Sequence, residues 1–229
     1  MKSVQEDFPL FYEKISEAHE NIHGGHDMYH VQRVATWARR ISLNECWNDE
    51  QTARLAEIAA YCHNADRLKE KIYGRDNTPD NATEELVRSW LCHIPTLSPQ
   101  HVMVILQAVL CHSKPNETSD SNVTIALKDA DRLVNLELDV IIRSGQFHPE
   151  IPAVDYKLFL SDQEATYKKP KSCLRDIYHC LDWADPEQPA FCCRTRLGQE
   201  VARKRAFYLQ GFIDLLKAQL LEDGLTFKT

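Results

Sequence analysis

The sequence predicts an all-α, single-domain helical bundle, and three observations carry that expectation. Apolar residues recur at helical spacing in one segment after another, only seven glycines punctuate 229 residues, and no sustained stretch alternates apolar with polar side chains as a sheet requires. The first stripe is Phe8, Phe11, Ile15 and Ala18, whose spacing of three or four places them on one helix face. The second, Val31, Val34, Ala35 and Ala38, follows Gly24-Gly25-His26-Asp27, where the aspartate is placed to cap a helix and His26 to stay in the loop before it. Leu55, Ile58, Ala59 and Cys62 form a third stripe that runs directly into His63. Gly74 breaks the chain, and Thr78-Pro79 reads as a helix start before Glu84-Glu85-Leu86-Val87. After Pro95, Ser98-Pro99 supplies an N-cap with proline in the first turn, opening a helix that runs through Val102 to Cys111 and closes at His112. Pro115 and Pro149 mark further breaks, and Lys114 to Ser121 and Gln146 to Asp155 read as polar or proline-bearing loops. One domain is expected over 1–229, with a core over about 20–145 and C-terminal helices over about 150–222 packed on it.

Composition removes several classes of function. A net charge of −7 argues against an extended nucleic-acid surface, although a single cationic pocket for a phosphate fits within an acidic whole. The eight cysteines form no CxxC pair, and Met1 to Asp7 lacks the apolar core of a secretion signal, so reduced thiols in a cytoplasm are expected. Asn81-Ala82-Thr83 and its two like triplets are then chance matches to the glycosylation pattern. The longest apolar run, Val102 to Cys111, is interrupted by Gln107 and too short to span a bilayer, so no membrane partner is expected.

The chemistry is concentrated in His26-Asp27-Met28-Tyr29-His30-Val31-Gln32-Arg33-Val34, Cys62-His63-Asn64-Ala65-Asp66-Arg67 and Lys128-Asp129-Ala130-Asp131-Arg132-Leu133. Histidines and carboxylates on three separate segments are what a divalent-metal site inside a helical bundle needs, since each helix can aim only one or two ligands at a common point. A lone histidine on an amphipathic helix is more often a satisfied boundary residue, so His23, His93, His101, His148 and His179 are given no role. Cys62 and Cys111 read as small buried fillers, and Tyr167-Lys168-Lys169-Pro170-Lys171 as a solvated linker in preference to a gate over a phosphate pocket.

The order His30, then His63 and its neighbour, then Asp131 resembles the HD-domain superfamily of metal-dependent phosphohydrolases, an all-helical fold named for a His-Asp pair. Within it, His-Asp-x-x-His-x-x-Arg-Val is similar to a group of bacterial hydrolases. Cys111-His112-Ser113, Asp129 to Leu133, and Thr195, Gly198, Ala202, Arg205 and Phe212 fall in matching places, so the resemblance covers about His26 to Phe212. It implies His30, His63 and Asp131 as metal ligands and Lewis-acid hydrolysis of a phosphate ester or anhydride, with a nucleotide or small phosphorylated metabolite as substrate.

Asn64 departs from the pattern, because the family's pair is His-Asp. Asparagine offers one neutral carbonyl oxygen where aspartate offers a charge and two oxygens, so a weaker site holding one ion instead of two is expected. Asp66, three residues beyond His63, either reaches the ion or its water or pairs with Arg67, Arg33 or Lys69 at a helix surface. The resemblance places His112 toward the centre as a phosphate contact or proton donor, while the Gly24-Gly25 turn puts His26 in a loop over the pocket, where it could touch substrate. Arg33, one turn past His30, reads as a phosphate clamp or a salt-bridge partner, and Lys128 and Arg132 as flanking cations or solvated side chains. Asp129 reads as a partner of a histidine or of Arg132. An imidazole-and-oxygen set suits Mn²⁺, Fe²⁺, Co²⁺, Ni²⁺ or Zn²⁺ better than Mg²⁺. The rival expectation is a catalytically weakened nucleotide-binding module.

Overall fold

A computed structural model describes residues 2–22, 25–45, 47, 49–74 and 77–228; Gly24 of the glycine pair and His23 lie outside them. Among the described residues the architecture is all helical, with no strand and one isolated bridge between Thr166 and Lys169. A capped turn, α1 (Val4–Asp7), leads into α2 (Pro9–His19), and the centre is built from α3 (Met28–Asn44), α4 (Glu50–Cys62) and α8 (Asn122–Asn135), which pack on one another. Helix α5 (Ala65–Tyr73) and α6 (Ala82–Leu91) flank them, α7 (Pro99–Cys111) lies against α4 and α8, and α9 (Val140–Phe147) joins α10 (Cys173–His179). The long α11 (Arg196–Glu222) closes over α8 and the 3-10 turn Cys180–Ala184.

The sequence explains why the three central helices can meet so closely. Their buried faces carry Ala35 and Ala38, Ala56, Ala59 and Ala60, and Ala126 and Ala130, small side chains that let helix axes approach. Val31, Val34, Ile41, Ile58, Leu127, Leu133 and Val134 fill the space around them, each large aliphatic contributing about 1.5–3 kcal/mol over its exposed state. Asp27 and Ser98 cap α3 and α7 as their positions predict, accepting from the amides of His30 and His101.

Three expectations are corrected. Helix α6 starts at Ala82 with Asn81 at its cap, so Thr78-Pro79 precedes the helix by a turn. Gln146 and Phe147 belong to α9, so the loop expected from Gln146 starts two residues later. The helix through Cys62 stops there: His63 is the C-cap of α4, Asn64 the N-cap of α5, and Asp66 falls in the first turn of a new helix.

Candidate metal centre

Three ligand atoms converge where α3, the α4–α5 junction and α8 meet. One atom each from His30, His63 and Asp131 lies within 4.8 Å of the other two. His30 Nε2 is 3.1 Å from His63 Nε2 and 3.2 Å from Asp131 Oδ1, and His63 Nε2 is 3.8 Å from that same oxygen. Both imidazoles are buried.

The protonation pattern follows from the neighbours. His63 Nδ1 lies 2.6 Å from the carbonyl of Ala60, which can only accept, so Nδ1 carries the hydrogen and Nε2 the lone pair. His63 Nε2 therefore accepts, and the hydrogen shared between it and Asp131 sits on His30 Nε2. A cation taken up between these atoms has to displace that hydrogen, either to the buried and unpartnered His30 Nδ1 or to solvent. Burial pushes the Asp131 carboxyl up, but the His30 hydrogen bond and the neighbouring imidazoles outweigh it and hold it well below the usual carboxylate range. Burial drives His63 the other way, well below the usual histidine value despite Asp131. An anionic carboxylate beside two imidazoles is a donor set that fits a divalent transition ion.

The other expected residues divide. His112 stands beside the cluster, its ring centroid 5.4 Å from that of His63. Its Nδ1–H donates to the carbonyl of Val109 at 2.6 Å, which leaves Nε2 as the ring nitrogen outside that bond. Asn64 is buried and donates from Nδ2 to the carbonyl of His26 at 3.3 Å, which leaves its amide oxygen for an ion. His26 stacks edge-on against His30 and Phe147, and burial pushes its pKa down to about 3.

Four residues are drawn elsewhere. Asp66 lies outside the converging group; its carboxylate accepts from the amide of Arg67 at 2.7 Å, because the break at His63 removes the helical spacing that would have aimed it at the ion. Arg33 Nη1 is held by Glu137 at 2.5 Å and Asp139 at 2.9 Å, so its charge is already matched. Lys128 is buried and its Nζ binds Asp120 and the carbonyl of Pro115, at 2.8 and 2.7 Å. Arg132 donates to Asn116 and to the carbonyl of Cys192. On α8 these two side chains tie down the loop before the helix, while Asp131 takes the inward direction. Asp129, fully buried, accepts from the amides of Arg194 and Thr195 and from Thr195 Oγ1, fastening the start of α11 to α8.

Two residues beside the site went unassigned in the sequence. Arg67 shares with His26 and Phe147 the wall of an open cavity of about 470 Å³. Asn135 donates to Asp131 Oδ1 at 3.0 Å. Both stand four residues past a ligand, His63 and Asp131 respectively, a spacing that could have found Asn135 on its continuous helix. Neither the Arg67 cavity nor a larger one of about 680 Å³, near Arg39, Arg40 and Tyr61, is lined by any of the three ligands.

No protein-family model matches the sequence, and neither does any curated protein. Solved structures share the fold. A protein of Lactobacillus plantarum superposes with a TM-score of 0.65 at 18% identity, over 95% of this chain and 98% of its own. An HD-superfamily hydrolase of Bacillus thuringiensis gives a TM-score of 0.65 at 20% identity with the same coverage. The fold is thus the all-α fold of an HD-superfamily hydrolase, and among the described residues no helix is long and apolar enough to cross a membrane.

Proposed function

We propose that this chain is a metal-dependent phosphohydrolase acting on a phosphate ester or anhydride, with a nucleotide or small phosphorylated metabolite as substrate. The observation that carries it is the convergence of His30, His63 and Asp131 within 4.8 Å, inside a fold shared with an HD-superfamily hydrolase. His30, His63 and Asp131 would hold one divalent ion, with the Asn64 carbonyl oxygen as a weak fourth donor; the ion would supply Lewis-acid activation of water and of the phosphoryl group.

The protein's own groups divide the remaining work. His112 is held through Nδ1 by the carbonyl of Val109, so Nε2 is the ring atom that would exchange a proton with the reacting groups. Arg67 takes the place of Arg33, Lys128 and Arg132 as the cation on the substrate side because it lines the cavity next to His26, although like them it is paired, with Glu70 at 2.9 Å. Phe147 and His26 present apolar ring surface to the rest of the ligand.

Asn64 favours the second reading, a nucleotide-binding module without turnover, because its amide nitrogen is committed to His26 and it brings no charge to the ion. Elemental analysis of the purified protein together with a phosphatase screen under several divalent ions decides between them. Turnover that disappears in Asp131→Ala supports the enzyme; metal or nucleotide binding with no turnover supports the module.

A further inference from the structure

Asp131 is held by more than the histidines. Its Oδ1, the atom nearest His30 Nε2, accepts the 3.0 Å hydrogen bond from Asn135 Nδ2. An amide can turn over, and the wrong orientation would set its oxygen against the carboxylate. Arg143 on α9 decides which way it faces: Nη1 donates to Asn135 Oδ1 at 3.0 Å. A guanidinium can only donate, so it engages the amide oxygen and leaves the nitrogen for Asp131.

Arg143 is itself fixed on several sides. Nη2 donates to the carbonyl of Val134 at 3.0 Å, and Nε and Nη2 donate to Asp139 at 3.1 and 3.3 Å. Its side chain also lies against Gly25, whose φ is +102°; a Cβ there would stand 3.5 Å from Arg143 Cβ and Nη1. The residue after that glycine, His26, offers the carbonyl that holds Asn64. One arginine outside the ligand group therefore sets the amide that holds Asp131.

We propose that Asn135 and Arg143 form a positioning pair, with Arg143 setting the amide orientation of Asn135 and Asn135 orienting Asp131 for the ion. This rests on the metal-centre reading above. The hydrogen bond onto Oδ1 restricts the rotation of the carboxylate, so ligand geometry is prepared before the ion arrives.

The test is a Co²⁺ titration of the metal-free protein followed by visible absorbance, with thermal unfolding in chelator as the measure of fold. Asn135→Leu removes the donor and should weaken Co²⁺ binding by about 10- to 100-fold. Arg143→Met frees the amide to turn and should cause a smaller loss with a changed absorption band. The double variant should bind no more weakly than Asn135→Leu alone, because Arg143 acts through Asn135; two independent structural effects would add instead. Asn135→Ala, a good helix former, takes the place of the leucine variant if that one does not fold. Unchanged Co²⁺ affinity in a folded Asn135 variant overturns the pair while leaving the metal centre standing, and additive losses overturn the relay. Wild-type protein that takes up no Co²⁺ overturns the metal reading and the pair with it.

Discussion

Asn64→Asp puts a carboxylate at a buried position beside His63, and the structure predicts that the change destabilises the metal-free protein. Asn64 is buried and donates to the carbonyl of His26 at 3.3 Å. A carboxylate cannot donate, so the variant sets an anionic oxygen against that carbonyl and leaves it unpaired. Losing one buried hydrogen bond and stranding its acceptor costs about 1–3 kcal/mol. For a domain of this size that corresponds to a fall in Tm of about 2–4 °C for each kcal/mol. A bound ion reverses the balance, since the added charge should tighten metal binding about tenfold, or ~1.4 kcal/mol, and at saturating metal the same amount is returned to stability. The deficit measured by thermal unfolding in chelator should therefore shrink or vanish as Mn²⁺ is added, while an isothermal titration shows the tighter affinity. A variant as stable as the native protein in chelator would refute the His26 contact. A deficit that persists unchanged at saturating metal would show that residue 64 does not face the ion.

The remaining predictions concern the supports of the site. Arg33→Ala should lower stability by about 1 kcal/mol, through loss of its pairs with Glu137 and Asp139, and leave metal content unchanged; urea unfolding and elemental analysis check the two halves. Gly198→Ala should cost about 1–3 kcal/mol in the same urea assay, because a Cβ would stand 2.5 Å from Thr195 Oγ1 and 2.8 Å from Asp129 Oδ2, the atoms that fasten α11 to α8. Stability of the metal-free protein should fall as pH drops below about 6.5, since burial lowers His19, His26 and His63 and the unfolded chain then binds protons the native state refuses. Each of these histidines contributes at most about 1.4 kcal/mol per pH unit, and Asp131, also lowered, adds a further loss only below about pH 4. A urea midpoint that stays flat from pH 7 to pH 5 would contradict this.

Much of the fold was legible in the chain because helices announce themselves locally. The stripes Val31-Val34-Ala35-Ala38 and Leu55-Ile58-Ala59-Cys62, and the caps Asp27 and Ser98, depend on spacing and on one side chain reaching one backbone amide, and the structure places them as read. The motif order and the resemblance it carries, not the periodicity, singled out His30, His63 and Asp131 as candidates. Where a helix stops was less visible. The break at His63-Asn64 has no glycine or proline to mark it, and it turns Asp66 from a residue on the ligand face into the partner of Arg67's amide.

What only the tertiary structure decided was the fate of the charged side chains. Arg33, Lys128 and Arg132 lie within a turn of ligands in the sequence, yet their partners come from residues 137–139, 115–120 and 192, contacts that no local pattern encodes. A buried or half-buried cation takes whichever carboxylate or carbonyl the packing brings near, and that choice is made among distant segments. The same holds for Arg143, 12 residues beyond Asp131 in the chain and joined to it through Asn135, because α9 folds back beside the end of α8. Motif order and resemblance named the residues that can meet an ion; long-range packing determined which neighbours hold them there.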